Sequence, residues 1–210
     1  MTPLTEESFS AAVDRLCSAD RRLGAVIERH GPPPFWTRPP GFATLVLFIL
    51  EQQVSLASAG AAFRRLEERL GAVTPELVLA STDDDLRADG FSRQKTGYVR
   101  ALAGGVTARR LDLEAVAEMS DESARGALTA VAGIGPWTAD VYLLSCLRRP
   151  DIWPVGDRAL QVGASEVCDL EVVPTAGDLV SLGEAWRPDR STAARILWHG
   201  YLCRRGRSNI

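Results

Sequence analysis

The stretch Leu128-Thr-Ala-Val-Ala-Gly133-Ile-Gly135-Pro136-Trp-Thr-Ala139 decides how this chain is read. A helical pattern ends, two glycines one residue apart make a tight turn, and Pro136 opens the next helix at its first position, where a missing N–H costs nothing. Gly133 and Gly135 can take positive φ and expose backbone that no Cβ covers. The N–H groups of Gly133, Ile134 and Gly135, with those of Trp137 and Thr138 in the following first turn, then point outward. An anion such as a DNA phosphate is favoured there without lysine or arginine. Taken alone, the same Gly-x-Gly turn is equally a plain connection between two helices that binds nothing.

Outward from the turn, the chain reads as helical throughout. Residues 6–16 and 21–29 suggest two short helices. Residues 31–41 hold five prolines and form an extended connector around Phe35 and Trp36. The apolar run 42–50 leads to Glu51-Gln52-Gln53. Ala59, Ala62, Phe63, Leu66 and Leu70 then recur on one helix face, closed by Gly71. Thr74-Pro75 starts a shorter helix, and Tyr98, Val99, Leu102 and Val106 repeat the pattern. Helices are expected over 121–130, 136–147 and 191–203, with Arg148 and Arg149 complementing the dipole of the second and Pro150 ending it. No segment alternates with period two for long. The fold class expected is therefore all-α, in two helical lobes. Residues 1–40 pack on the C-terminal lobe, 41–150 carry the hairpin (about 121–147), and 151–210 form the C-terminal lobe.

The 210 residues carry 24 basic and 27 acidic side chains, a net charge of −3. Such a balance gives no general attraction for nucleic acid, so any contact with DNA must be local. Lys95 is the single lysine, so a mechanism that needs a lysine nucleophile has one candidate. Residues 1–10 lack a basic segment followed by an apolar one, and the longest apolar run is too short for a bilayer, which needs roughly 20 residues. Cys17, Cys146, Cys168 and Cys203 form no C-x-x-C pair, as expected of reduced thiols in a cytoplasmic protein.

Ala-Gly-Ile-Gly-Pro-Trp-Thr-Ala resembles the helix-hairpin-helix of the DNA glycosylase superfamily that includes endonuclease III, and within it the 3-methyladenine DNA glycosylase II branch. Three further segments carry the resemblance: Glu51-Gln-Gln-Val-Ser, Trp153-Pro-Val-Gly-Asp157, and Trp186-Arg-Pro-Asp-Arg-Ser-Thr-Ala. It spans about Phe35 to Arg204. It implies two helical lobes with the active cleft between them, without the extra N-terminal α/β domain of a larger bacterial relative. It also implies a catalytic aspartate twenty residues beyond Trp137, which is Asp157; read alone, Asp157 is a helix N-cap. Gln53 becomes the residue that plugs the gap left by an extruded base. The carbonyls of Thr129, Val131 and Ile134 become a cage for a monovalent cation, Na+ or K+, with no cofactor needed for catalysis. Lyase-competent relatives carry a lysine where this chain has Trp137, so hydrolysis without strand cleavage is expected. Other relatives hold an iron–sulfur cluster on four cysteines near the C-terminus, where only Cys203 stands, so no cluster is expected.

The implied reaction is release of alkylated purines, of the 3-methyladenine and 7-methylguanine type, from duplex DNA in base excision repair. A flat cationic base stacks on electron-rich rings, which makes Trp137, Trp153, Trp36 and Phe35 the pocket candidates, though any of them alone is equally core. Asp189 stands where relatives carry an aromatic. It is read either as attracting a cationic base or as a solvated charge. Arg93, Arg100, Arg190 and Arg195 are candidates for phosphate contact. The expected partner is damaged double-stranded DNA, bound by a monomer in the cytoplasm, nucleoid-associated if bacterial, with no membrane. Three rivals stay open: a bifunctional glycosylase/AP lyase, which would have to use Lys95, a non-enzymatic helix-hairpin-helix DNA-binding module, and a helical interaction protein with no DNA role.

Overall fold

The computed structural model describes residues 2–207, and all regular structure among them is helical. The chain divides into two compact units. One holds residues 38–142, the other the residues up to Thr37 together with those from Leu143 onward.

The 38–142 unit is built around α3 (Phe42–Glu51), which buries Leu45, Val46, Phe48, Ile49 and Leu50. A helix apolar on nearly every side belongs at a centre, and others cover it. Those are α4 (Leu56–Leu70), α5 (Pro75–Ala80), α6 (Asp83–Ala88), α7 (Arg93–Thr107), α8 (Leu113–Glu118) and α9 (Asp121–Thr129). Leu66, Val78, Leu86, Val99, Leu102, Val116 and Leu128 supply their buried faces. Side-chain caps set most of the starts: Ser55, Thr74, Thr82, Ser92, Asp112 and Ser120 each accept from a first-turn N–H. After α9 comes the glycine turn, and then α10 (Pro136–Ser145).

The other unit is centred on α13 (Arg190–Arg204), whose run Ser191–Leu197 is wholly buried. Around it pack α1 (Glu6–Ala19), α2 (Arg21–His30) and α11 (Arg158–Val167). α12 (Ala176–Gly183) and a 3₁₀ turn (Glu184–Trp186) complete it. α11 and α13 approach closely at Gly163, where a Cβ would stand 2.8 Å from the Leu197 carbonyl oxygen. Residues 31–40 are extended, as their prolines dictate.

The sequence places a lobe boundary at Pro150, whereas the structure divides the chain inside α10, between Tyr142 and Leu143. The reason lies in the hydrogen bonds of the next residues. Leu144 O accepts from Arg195, Ser191 N donates to Pro150 O, and Ser191 Oγ accepts from Ile152 N, so residues 144–152 are fastened to α13. α10 also ends at Ser145, before the expected Leu147. Arg149 is buried, not displayed at the helix end, and its N–H donates to Leu143 O.

Candidate active site

The hairpin lies in the 38–142 unit. Gly133 has φ +93°, and a Cβ there would overlap the ring of Tyr98. Glycine is thus required twice, by conformation and by the aromatic ring behind it. Gly135 does not use that freedom: it has no positive φ, and nothing lies within 4 Å of the Cβ position. The fold leaves that side open. Ile134 departs from expectation. Its N–H is consumed by Val131 O at 3.0 Å, and its side chain is buried. The N–H groups of Gly133, Gly135 and Thr138 donate to no backbone carbonyl among the described residues. They sit at the start of α10, where the helix dipole adds positive potential. Trp137 is half-buried at the second position of that helix. Of the three carbonyls implied for a cation, Val131 O already accepts from Ile134 N.

Beside the hairpin runs the segment that follows α3. Gln53 is exposed and left-handed, with φ +60°. Its neighbour Gln52 is turned inward, and its Nε2 donates to Gly133 O at 2.8 Å and to Thr138 Oγ1 at 3.2 Å. Sequence reasoning missed this link, and Tyr98 behind Gly133 as well. Both join residues distant in the chain, and only the double glutamine gave a hint. Lys95 is half-buried on α7, and its Nζ donates to Leu50 O at 2.7 Å. Burial lowers its pKa from the usual lysine value.

Asp157 belongs to the other unit. It is the N-cap of α11, where its Oδ1 accepts from Leu160 N at 2.7 Å. The same oxygen accepts from Trp198 Nε1 at 3.0 Å. The carboxylate is half-buried and held from two helices, α11 beneath it and α13 beside it. Gly163 sets how closely those helices approach and so how near the indole comes. Trp198 went unrecognised from sequence because helical periodicity places it on α13 without saying what its N–H meets.

The remaining pocket candidates separate. Phe35 stacks on Phe9 with centroids 4.8 Å apart, and the Arg195 guanidinium lies 5.2 Å from its ring. Trp36 is half-buried near His199, and its carbonyl accepts from Arg195. Trp153 is instead interior: it is 5% exposed, its Nε1 donates to Leu179 O, and its ring meets Trp186 edge-on.

Several charged residues also part from expectation. Asp189 is neither solvated nor open to a cationic base, because it is 7% exposed and its two oxygens accept from Arg15 Nε and Nη2 at 3.1 and 2.7 Å. Arg195 cannot reach a phosphate. It is fully buried, donates to the carbonyls of Ser191, Trp36 and Leu144, and has its pKa pushed down to about 10 by desolvation. Arg190 is engaged by Asp151, and Arg100 by Asp83 and Ser81 O.

Residues 46–188, a span that includes the hairpin and Asp157, match the family described as HhH-GPD superfamily base excision DNA repair protein. The chain is 26% identical over 182 residues to DNA-3-methyladenine glycosylase 1 of Schizosaccharomyces pombe, covering 85% of this chain and 80% of that protein. A crystal structure of a DNA-3-methyladenine glycosidase from Bacillus halodurans matches with a TM-score of 0.77 at 33% identity, over 90% of this chain and 88% of that one. The S. pombe 3-methyladenine DNA glycosylase Mag1, solved in complex with abasic DNA, matches with a TM-score of 0.79 at 25% identity, over 90% and 95% of the two chains. The chain spans between 42% and 94% of the length of such curated relatives. Its all-helical fold, its glycine hairpin and the extent of these matches make this chain a member of the HhH-GPD superfamily of base excision DNA repair proteins.

Proposed function

We propose that this protein is a monofunctional DNA glycosylase that hydrolyses the N-glycosidic bond of alkylated purines, of the 3-methyladenine and 7-methylguanine type, in duplex DNA. The observation that carries the reading is the Asp157 carboxylate, fixed by Leu160 N and the Trp198 indole in a chain that also presents a glycine hairpin. The bond breaks through a transition state with positive charge developing at C1′. A carboxylate held in place beforehand stabilises that charge without reorganising at the moment of reaction. The same group orients the attacking water and accepts its proton. A base that already carries positive charge leaves readily, so no strong general acid is required.

Substrate is held by the backbone. The amides of Gly133 and Gly135, which are not buried as Thr138 is, receive a phosphate of the damaged strand, and Gln53 fills the gap left by the extruded base. The carbonyls of Thr129 and Ile134, with the second lone pair of Val131 O, would hold a monovalent cation. That ion would add positive charge beside the phosphate. Hydrolysis rather than lyase chemistry is supported by Trp137 at the lyase-lysine position and by the engagement of Lys95 with Leu50 O.

The test is chromatography of bases freed from methylated duplex DNA, with Asp157→Asn beside the wild type and borohydride present in a parallel reaction. Free 3-methyladenine or 7-methylguanine with no covalent adduct is the expected result. An adduct mapping to Lys95 would turn the reading to the lyase. DNA binding with no base release would leave only a binding module.

A further inference from the structure

We infer that Gln52 is a positioning residue: it ties the gap-plugging loop to the phosphate-gripping hairpin, so that grip on the backbone and insertion at Gln53 act as one device. The inference rests on the glycosylase reading above. Its physical basis is where the tethers stop. Leu50 is held through its carbonyl by Lys95 Nζ at 2.7 Å, and Glu51 through its carboxylate by Arg38 Nη2 at 2.8 Å. Gln52 is held through both amide protons, by Gly133 O and Thr138 Oγ1. From Gln53 to Ser58 every residue is exposed. Three consecutive fixed residues therefore end at the one expected to enter DNA.

Conformation points the same way. Gln53 has φ +60°, a region that non-glycine residues occupy at a cost and keep only when their surroundings impose it. The residue before it supplies that imposition. Its partners are the two ends of the anion-binding turn: Gly133, held from behind by Tyr98, and Thr138, in the first turn of α10. A phosphate bound to the turn amides thereby fixes the hydrogen-bond acceptors of Gln52, and through them the direction of Gln53.

The experiment compares wild type, Gln52→Ala, Gln53→Ala and the double variant on a duplex with one 7-methylguanine, with 2-aminopurine next to it. Single-turnover base release and 2-aminopurine fluorescence report chemistry and extrusion. Affinity for an unmodified duplex reports the grip. Each single variant is expected to lower extrusion and release about tenfold, the scale of losing hydrogen bonds at one side chain. The double variant should be no slower than the worse single one, because both disable one device. Affinity for unmodified duplex should stay within about twofold, since the hairpin amides remain. Gln52→Met, similar in length but without donors, should reproduce Gln52→Ala and takes its place if the alanine variant does not fold. Wild-type rates in a folded Gln52 variant, or losses that multiply in the double variant, would overturn the tether. A wild type that frees no base sinks the glycosylase reading instead.

Discussion

The two compact units solve different physical problems. In the unit carrying Asp157, charge is buried and matched. Arg15 meets Asp189 in a bidentate pair, Arg190 meets Asp151, and Arg195 donates to backbone carbonyls beside the stacked rings of Phe9 and Phe35. In the 38–142 unit α3 makes an aliphatic centre and charge is matched at Arg69 with Asp89 and Arg125 with Asp140, while Gln53 is exposed and left-handed and its neighbour Gln52 reaches the hairpin by neutral hydrogen bonds. Under the proposed function the two units have different tasks. Stabilising a developing cation needs an anion that does not move, and a dense polar interior fixes the helices that carry it. Gripping a phosphate needs N–H groups without competing acceptors, which only an open turn leaves available.

Asp157→Asn breaks the first half of this contrast hardest. Base release is expected to fall by about 10²- to 10³-fold, while affinity for duplex DNA changes little, as single-turnover kinetics and a binding isotherm will show. The hairpin is broken next. Gly133→Ala forces a left-handed alanine against Tyr98 and is expected to lower stability by about 2–3 kcal/mol in chemical denaturation. Gly135→Ala has open space and no positive φ, so its melting curve should match the wild type while its DNA affinity falls. Equal destabilisation by the two changes would erase the distinction between a glycine kept for the fold and one kept for the ligand.

Trp198→Phe sharpens the contrast further. It keeps the packing but removes the indole N–H from Asp157, and should slow base release about tenfold with folding intact. The smallest effect concerns pH. Asp20 accepts from Arg22 and from Trp186 Nε1, which lowers its pKa from the usual 3.8 to about 2. The folded state therefore favours the ionised form. The resulting stability, about 1 kcal/mol after solvent screening, is complete above pH 4 and is lost as pH falls toward 2. Asp20→Asn should flatten the melting temperature across that window.

Helix signals proved uneven along the chain, and the reason is length. α4, α7 and α13 each run fifteen residues and present a repeated face or a firm pair of ends. α6 and α8 are six residues each, too short for a period, although Thr82 with Asp85, and Asp112, mark their starts by capping. α12 went unread for the same reason, despite the Thr175 and Asp178 capping box. Among the site residues, Asp157 and Gln53 follow from resemblance at fixed spacing. Trp198, Tyr98 and Gln52 do not, because each acts through a partner distant in the chain.

Composition, turn chemistry and motif order were enough to specify an all-helical chain, a glycine turn with amides for an anion, and the aspartate that caps the helix after it. These are local properties, set by residues within a few positions of one another. Which oxygen Trp198 holds, why Asp189 is closed to ligands and how Gln52 reaches the hairpin were decided by packing. Each depends on side chains that folding brings together across long stretches of sequence, and no single segment encodes such a meeting.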